Sequence, residues 1–234
     1  MAVITMSGNI AGGVREVGEM IAQQMGVGLV DQQLIVEAAQ RCGVPVGTVA
    51  EHDERRGSLR ERMSVLLRTF LERSAASGAD PLTGATGLEV VLSRTYADLA
   101  AEQEEPQLSD SLYMDTMRAL IREVAAHGDV VILGHASQMI LADMPGAVHA
   151  LCVAPRKLRV QRLAEREDIG LEDATKRTIE NDRGRCAFYR KFWRVDFESP
   201  NLYDICIDTS RLSYEIATEL VVAAVKAKSA AAPA

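Results

Sequence analysis

No two cysteines of this chain stand at the C-x-x-C spacing of a zinc or redox site, and the four present, Cys42, Cys152, Cys186 and Cys206, form no other zinc-like pattern. That excludes a metal site built on thiolates and points to a reducing compartment. Cys152 and Cys206 fall inside apolar runs, where a small buried thiol is the expectation. No stretch reaches the ~20 apolar residues that a bilayer-spanning helix needs. The opening MAVITMSGNIAGG has no basic segment followed by an apolar one, so neither a signal peptide nor a membrane is expected, and a cytoplasmic location follows. Positive charge is also in deficit: 26 Lys and Arg stand against 33 Asp and Glu, a net charge of -7, which speaks against nucleic acid as the main partner. His52, His127 and His149 lie apart from Cys or Asp clusters at ligand spacing, so metal: none is the expectation.

What is present suffices for one core, with 47% hydrophobic residues in 234. Short continuous apolar runs at Ala2 to Met6, Leu29 to Asp31, Val130 to Leu133, Ala147 to Val153 and Ile205 to Ile207 read as strands. Helical patterns separate them: one through Val17, Met20, Ile21 and Met25, one through Leu34 to Ala39, then Leu112 to Ala126, a long Arg-rich region from Arg156 to about Arg190, and Ser213 to Lys226. Runs without polar alternation, joined through helices, imply a parallel sheet covered on both faces. The expected fold class is α/β, three-layer, with a mostly parallel five-stranded sheet and a helical insertion in the middle. Residues 1–226 form a single domain in this reading, with the insertion at about 43–108, a lid region at about 156–193 and a disordered tail at 227–234. Inside the insertion His52 to Gly57 reads as a charged link, Ser58 to Arg73 as an amphipathic helix, Ser74 to Gly87 as a loop of small residues and Leu88 to Glu102 as a further helix.

In such sheets ligands bind beyond the carboxyl ends of the strands. There the chain places Gly8-Asn9-Ile10-Ala11-Gly12-Gly13-Val14-Arg15 between the first strand and the first helix. A glycine-rich turn of this kind wraps backbone N–H groups around a phosphate, and the helix start adds partial positive charge. Both outer glycines of the GxxxxGK[ST] pattern are kept. Val14, however, stands where the phosphate-binding Lys belongs, and Arg15 where the Mg²⁺-binding hydroxyl belongs. On the loop alone, a tight βα turn and a phosphate cradle are equally compatible with these residues.

Further segments resemble one family. ITMSGNIAGGVRE aligns without gaps on the start of bacterial cytidylate kinases, similar to ITIDGPSGxGKGT. It also resembles the cytidylate kinase-like family, whose loop typically reads SREYGSGGREIG, so that Arg15-Glu16-Val17-Gly18 matches directly. VDQQLI at Val30 to Ile35, DSLYMDTMRALIREVAAHGDVVILG at Asp110 to Gly134, LCVAPRKLRVQRL at Leu151 to Leu163, NDRGRCAFYRKF at Asn181 to Phe192 and YDICIDTSRLS at Tyr203 to Ser213 continue the likeness in order. It covers the two ends of the chain and leaves Cys42 to Gln107 unmatched.

The resemblance implies a P-loop nucleoside kinase-like fold and an ATP-dependent phosphotransferase acting on CMP, dCMP or a similar nucleoside monophosphate, with ATP and Mg²⁺ as cofactors. It makes Gly8, Asn9, Ala11, Gly12, Gly13, Val14, Arg15 and Glu16 the ATP-binding loop, with Arg15 replacing the missing ammonium. Arg156 and Arg159 join Arg15 as catalytic arginines facing the transferred phosphoryl group. Asp31, His135, Asp182, Arg183 and Arg185 are implied in acceptor binding, with Asp182 and Arg185 on the D-x-x-R pattern that reads the cytosine ring and its phosphate. Asp31 reads equally as a cap of the next helix, and the arginines from Arg156 to Arg166 as a solvated face paired with neighbouring Glu. Where related kinases carry Gly-Arg after the third strand, this chain has Gly134-His135, and a neutral histidine does not replace a guanidinium, although a phosphate beside it could make His135 cationic. Ala187 to Trp193 mixes aromatic and basic residues, read as the lid docking on the body with Tyr189 or Arg190 reaching a nucleotide. Three functions stay open: the phosphotransferase, attenuated or not; a nucleotide-binding regulatory pseudokinase; and an interaction protein whose amphipathic helix around Met63 to Leu71 packs on a partner or a second copy, although such a stripe is more often core. A nucleotide ligand is the expected partner, and a homo-oligomer is left open.

Overall fold

A computed structural model describes residues 2–54 and 108–231. The helices expected at Ser58 to Arg73 and Leu88 to Glu102, and the loop between them, lie outside the described residues.

Strand β1 (Val3–Gly8) leads into helix α1 (Val14–Met25) and strand β2 (Gly28–Val30). Helices α2 (Gln33–Cys42), α3 (Val46–His52) and α4 (Asp110–His127) precede strand β3 (Val130–Leu133). A four-residue helix α5 (Ser137–Ile140) connects to strand β4 (Val148–Val153), followed by α6 (Arg156–Glu167), α7 (Leu171–Trp193), strand β5 (Ile205–Asp208) and α8 (Tyr214–Ala231). The five strands are all parallel in the order β2-β3-β1-β4-β5. β1 is therefore central, flanked by strands that follow it much later in the chain. Such a reversal of strand order opens a crevice at the carboxyl ends, where the residues after Gly8 and Leu133 lie.

One core fills the side of the sheet facing α1 and α8. Ile4, Met6, Val131, Leu133, Ala150 and Cys152 of the strands meet Val17 and Ile21 of α1 and Val221 and Val225 of α8. Removing each of the Val, Leu, Ile and Met side chains from water contributes about 1.5–3 kcal/mol. Alternation sends Val3, Thr5 and Ser7 to the opposite face, where α5 packs on β1 and α4 on α5. That face carries polar side chains at its carboxyl end, and the site is built there.

Several sequence expectations are corrected. The Arg-rich region is two helices, because Asp168 takes a left-handed conformation (φ 51°) that ends α6 and Gly170 precedes α7. The last helix continues to Ala231, five residues past Lys226, since its end is rich in alanine, the strongest helix former. Cys152 is buried, but Cys206 is exposed because β5 is an edge strand. β2 ends at Val30, leaving Asp31 in the following turn, and part of the supposed link at His52 is the end of α3.

Candidate nucleotide site

The loop after β1 is shaped by close approach. A Cβ on Gly8 would lie 2.3 Å from the Cys152 backbone oxygen. Gly13 is left-handed (φ 92°), and a Cβ there would sit 2.8 Å from Tyr214 Cε1. Gly12 N–H closes the turn onto the Asn9 oxygen at 2.9 Å, and Ala11 takes a left-handed φ of 56°. Gly13 occupies the N-cap of α1 and has no side chain to accept from the first turn. The N–H groups at the start of α1 thus depend on water or a ligand.

Three side chains hold the loop from outside. Thr209 Oγ1 donates to the Gly12 oxygen at 3.0 Å, Arg159 Nη1 to the Ile10 oxygen at 3.4 Å, and Asn9 Nδ2 to Glu198 Oε1 at 2.6 Å. Arg162 in turn donates to Thr209 Oγ1 at 2.9 Å and to its backbone oxygen at 2.8 Å. Val14 turns its side chain into the core cluster, whereas Arg15 remains 43% exposed and reaches Asp31, Nη2 to Oδ2 2.9 Å. Arg15 and Asp31 are thereby brought together at the crevice. Glu16 adds a carboxylate to the first turn, 3.9 Å from Arg166.

Across the crevice, Gly134, His135 and Ala136 are all left-handed, with φ of 73°, 56° and 51°. Two consecutive non-glycine residues in that region store strain that the surroundings must hold in place. His135 is buried rather than facing a ligand: Nδ1 lies 2.9 Å from Asp53 Oδ1 and Nε2 3.0 Å from the Asp31 backbone oxygen. Its backbone N–H donates to Glu54 Oε1 at 2.8 Å, and Arg185 Nη1 donates to the same oxygen at 3.0 Å. The Arg185 guanidinium lies 5.5 Å from the Phe197 ring centroid.

Asp182 and Arg185, expected to act as one pair, face different partners. Asp182 accepts both forks of Arg159, at 3.0 and 2.9 Å, with Arg156 Nε at 3.4 Å, while Arg185 serves Glu54. Three residues along a helix turn the side chain by about 300°, so the two point in neighbouring but distinct directions. Arg156 is 60% exposed. Arg183 lies on the outer face of α7 beside Glu172, Lys176 and Glu180, apart from the loop.

The sequence reading missed Asp53, Glu54, Gln138, Tyr203 and Thr209. Gln138 accepts from Ser7 Oγ at 3.0 Å and donates to the hydroxyls of Tyr189 at 2.8 Å and Tyr203 at 3.1 Å. Tyr189 is therefore a fully buried part of the frame, and burial pushes its hydroxyl, like that of Tyr203, well above the usual tyrosine range. Arg190 is exposed. The signal for Asp53 and Glu54 was their adjacency in an otherwise basic turn, His52-Asp53-Glu54-Arg55-Arg56, which reads first as a solvated link.

For a nucleotide the loop supplies unspent N–H donors and one accessible guanidinium. For Mg²⁺ the described residues contain no cluster of three His, Cys, Asp or Glu. The ion commonly binds through one or two carboxylates plus substrate phosphates, and Asp31, beside Arg15, is the carboxylate at hand.

A five-stranded parallel sheet with a glycine loop between its central strand and first helix has the arrangement of a phosphate-binding-loop α/β fold. The model of the Cytidylate kinase-like family matches residues 3–211, and the chain belongs to that family. Among curated relatives, it is similar to the cytidylate kinase of Halobacterium salinarum, 25% identical over 171 residues, which is 73% of this chain and 85% of that one. The match to the cytidylate kinase of Methanopyrus kandleri is 30% identical over 112 residues, spanning 44% of this chain and 58% of the relative. A solved structure of an uncharacterized protein from Eubacterium ventriosum shares the fold, with a TM-score of 0.60 at 15% identity, 97% of this chain and 99% of that one being covered.

Proposed function

We propose that this protein transfers the γ-phosphoryl group of ATP to CMP, dCMP or a similar nucleoside monophosphate, with the phosphate loop rebuilt around Arg15. The observation that carries this reading is the pairing of the uncapped loop at Gly13 with Arg15, the cation nearest its first helical turn, held at the crevice by Asp31. An arginine fork binds phosphate through two parallel hydrogen bonds, which suits a site that has lost the ammonium of lysine. Phosphoryl transfer asks the protein mainly to position and to neutralise charge.

When bound, Mg²⁺ would neutralise phosphate oxygens, with Asp31 the residue nearest to hand. The chain's own groups would do the rest. The loop N–H groups orient the donor phosphates, Arg15 exchanges part of its contact with Asp31 for a phosphate oxygen, and Arg156, on the exposed side of Asp182, supplies a second cation. Arg159 holds the loop in shape. Acceptor recognition through Asp182 or Arg185 requires each to exchange its present internal partner for substrate.

A second reading, a nucleotide-binding regulator with little turnover, is favoured by Val14, whose side chain is spent on the core. Calorimetric titration with ATP, CMP, dCMP and other monophosphates, with and without Mg²⁺, followed by an ADP-release assay, separates the two. ATP binding with CMP-dependent ADP release supports the enzyme. ATP binding without release under any acceptor supports the regulator, and no nucleotide binding sinks both.

A further inference from the structure

One peptide joins Gly12 to Gly13 at the start of α1, and its orientation is set from the far end of the chain. The Thr209 hydroxyl has one hydrogen and two carbonyl oxygens within reach, that of Gly12 at 3.0 Å and that of Val153 at 3.3 Å. Val153 already accepts from the Thr209 backbone N–H at 2.9 Å, so the hydroxyl serves the nearer Gly12. Arg162 holds the residue from behind, Nη1 donating to Thr209 Oγ1 at 2.9 Å and Nη2 to its backbone oxygen at 2.8 Å. A hydroxyl that accepts from a guanidinium is polarised into a stronger donor.

A trans peptide points its C=O and its N–H in opposite directions. Pinning the Gly12 oxygen to Thr209 therefore turns the Gly13 N–H away from Thr209. The near flank is closed to it: a Cβ on Gly13 would lie 2.8 Å from Tyr214 Cε1 and 3.0 Å from Thr209 Cγ2. Arg162 also covers that flank, with its guanidinium carbon 5.3 Å from the Tyr214 ring centroid. Among the described residues the Gly13 N–H meets no acceptor.

We propose that Thr209, polarised by Arg162, is a positioning residue that aims the Gly13 N–H at a nucleotide phosphate. The step to the phosphate rests on the reading of the loop given above, while the hold on the peptide does not. Thr209 is only 4% exposed and acts through Gly12 rather than on a ligand. With Val14 in place of the loop lysine, backbone donors carry more of the phosphate's recognition, and a donor fixed in direction before the ligand arrives stabilises it most.

Gly12-Gly13 is the one Gly-Gly pair in the sequence. Glycine labelled with ¹³C at its carbonyl and ¹⁵N at its amide therefore gives the full chain a single carbonyl–amide correlation, that of this peptide. In Thr209→Val, which keeps the shape and removes the hydroxyl, the Gly12 carbonyl signal moves upfield and the Gly13 amide signal shifts with it. Thr209→Ser, which keeps the hydroxyl, restores both. A correlation unmoved by Thr209→Val overturns the hold on the peptide. By calorimetry, Thr209→Val weakens ATP binding about tenfold, as the loss of one hydrogen bond does, and Thr209→Ser recovers most of it. A role in stability alone lowers the unfolding temperature of Thr209→Val but leaves its ATP affinity at the parent value, and that result overturns the proposal. ATP also moves the Gly13 amide signal of the parent protein. ATP bound with that signal unmoved overturns the aim at the phosphate and leaves nucleotide binding standing. If the parent protein binds no ATP, the nucleotide reading falls and the phosphate step with it, and the correlation alone judges the hold on the peptide. Should Thr209→Val not fold, Arg162→Met replaces it: the hydroxyl loses its polarising donor and the carbonyl signal moves in the same direction by a smaller amount. An unmoved signal there contradicts the relay through Arg162.

Discussion

Arg159 grips Asp182 with both forks of its guanidinium, at 3.0 and 2.9 Å, while its Nε holds the Ala154 oxygen at 3.0 Å. Both side chains are largely buried, 4% and 13% exposed, and Arg159 also touches the loop at the Ile10 oxygen. The pair thereby joins α6, α7 and the glycine loop after β1 into one frame. Removing Arg159 leaves the largely buried Asp182 with only the exposed Arg156, 3.4 Å away, as counter-charge, so Arg159→Ala lowers stability by about 3 kcal/mol. Urea denaturation checks this. In a double-mutant cycle, Asp182→Ala added to Arg159→Ala costs much less than it does alone; two fully additive losses would show that the pair acts as separate residues.

The loop variants discriminate between a kinase that merely lost its lysine and one rebuilt around arginine. Arg15→Ala abolishes ATP binding and turnover, because no other exposed guanidinium among the described residues sits on the first turn of α1. Val14→Lys does little or harms, since Val14 packs on the core and a lysine there would have to leave it or bring a second cation against Arg15. ATP affinity and ADP release for both variants measure this. Normal ATP affinity in Arg15→Ala sinks the rebuilt-loop reading.

Two left-handed glycines respond differently to alanine. At Gly13 the new Cβ meets Tyr214 and Thr209 at 2.8 and 3.0 Å, whereas at Gly26, which ends α1 with φ 67°, it meets nothing within 4 Å. Gly26→Ala then costs only the backbone strain, about 1 kcal/mol. Gly13→Ala costs about 2–3 kcal/mol and also displaces the loop, so anion binding is lost with it. Thermal unfolding with and without ATP records both effects. Equal losses at the two positions would refute the steric argument.

Acid weakens the fold through His149. Burial pushes this histidine below its ordinary value of 6.5, against the upward pull of Asp204, and its Nδ1 lies 2.8 Å from Thr5 Oγ1. The unfolded chain takes up the proton first as pH falls, so this contribution is fully present above the ordinary histidine value and shrinks as pH drops below it. Chemical denaturation at a series of pH values shows a smaller loss between about pH 7 and about pH 5 in His149→Gln than in the parent. An identical slope in both would assign the acid sensitivity elsewhere.

The sequence by itself determined the frame of this protein. An apolar run in Val3 to Met6 interrupted only by Thr5, and an unbroken one in Val130 to Leu133, separated by 3.6-periodic stretches, point to strands buried on both faces, and that leaves a parallel sheet with helices on either side. The glycines from Gly8 to Gly13 marked the loop, because a close turn into a helix admits little else, and five ordered segments marked the family. The pairing of charges was decided only by tertiary structure. Asp182 and Arg185 share a helix and a motif, yet Arg159 claims one and Glu54 the other, since a buried charge goes to whichever opposite charge the packed helices bring within reach. His135 read as a lost cation for the same reason. Among its partners are Asp31 and Asp53, 104 and 82 residues distant in the chain, and such contacts are not revealed by spacing along a sequence.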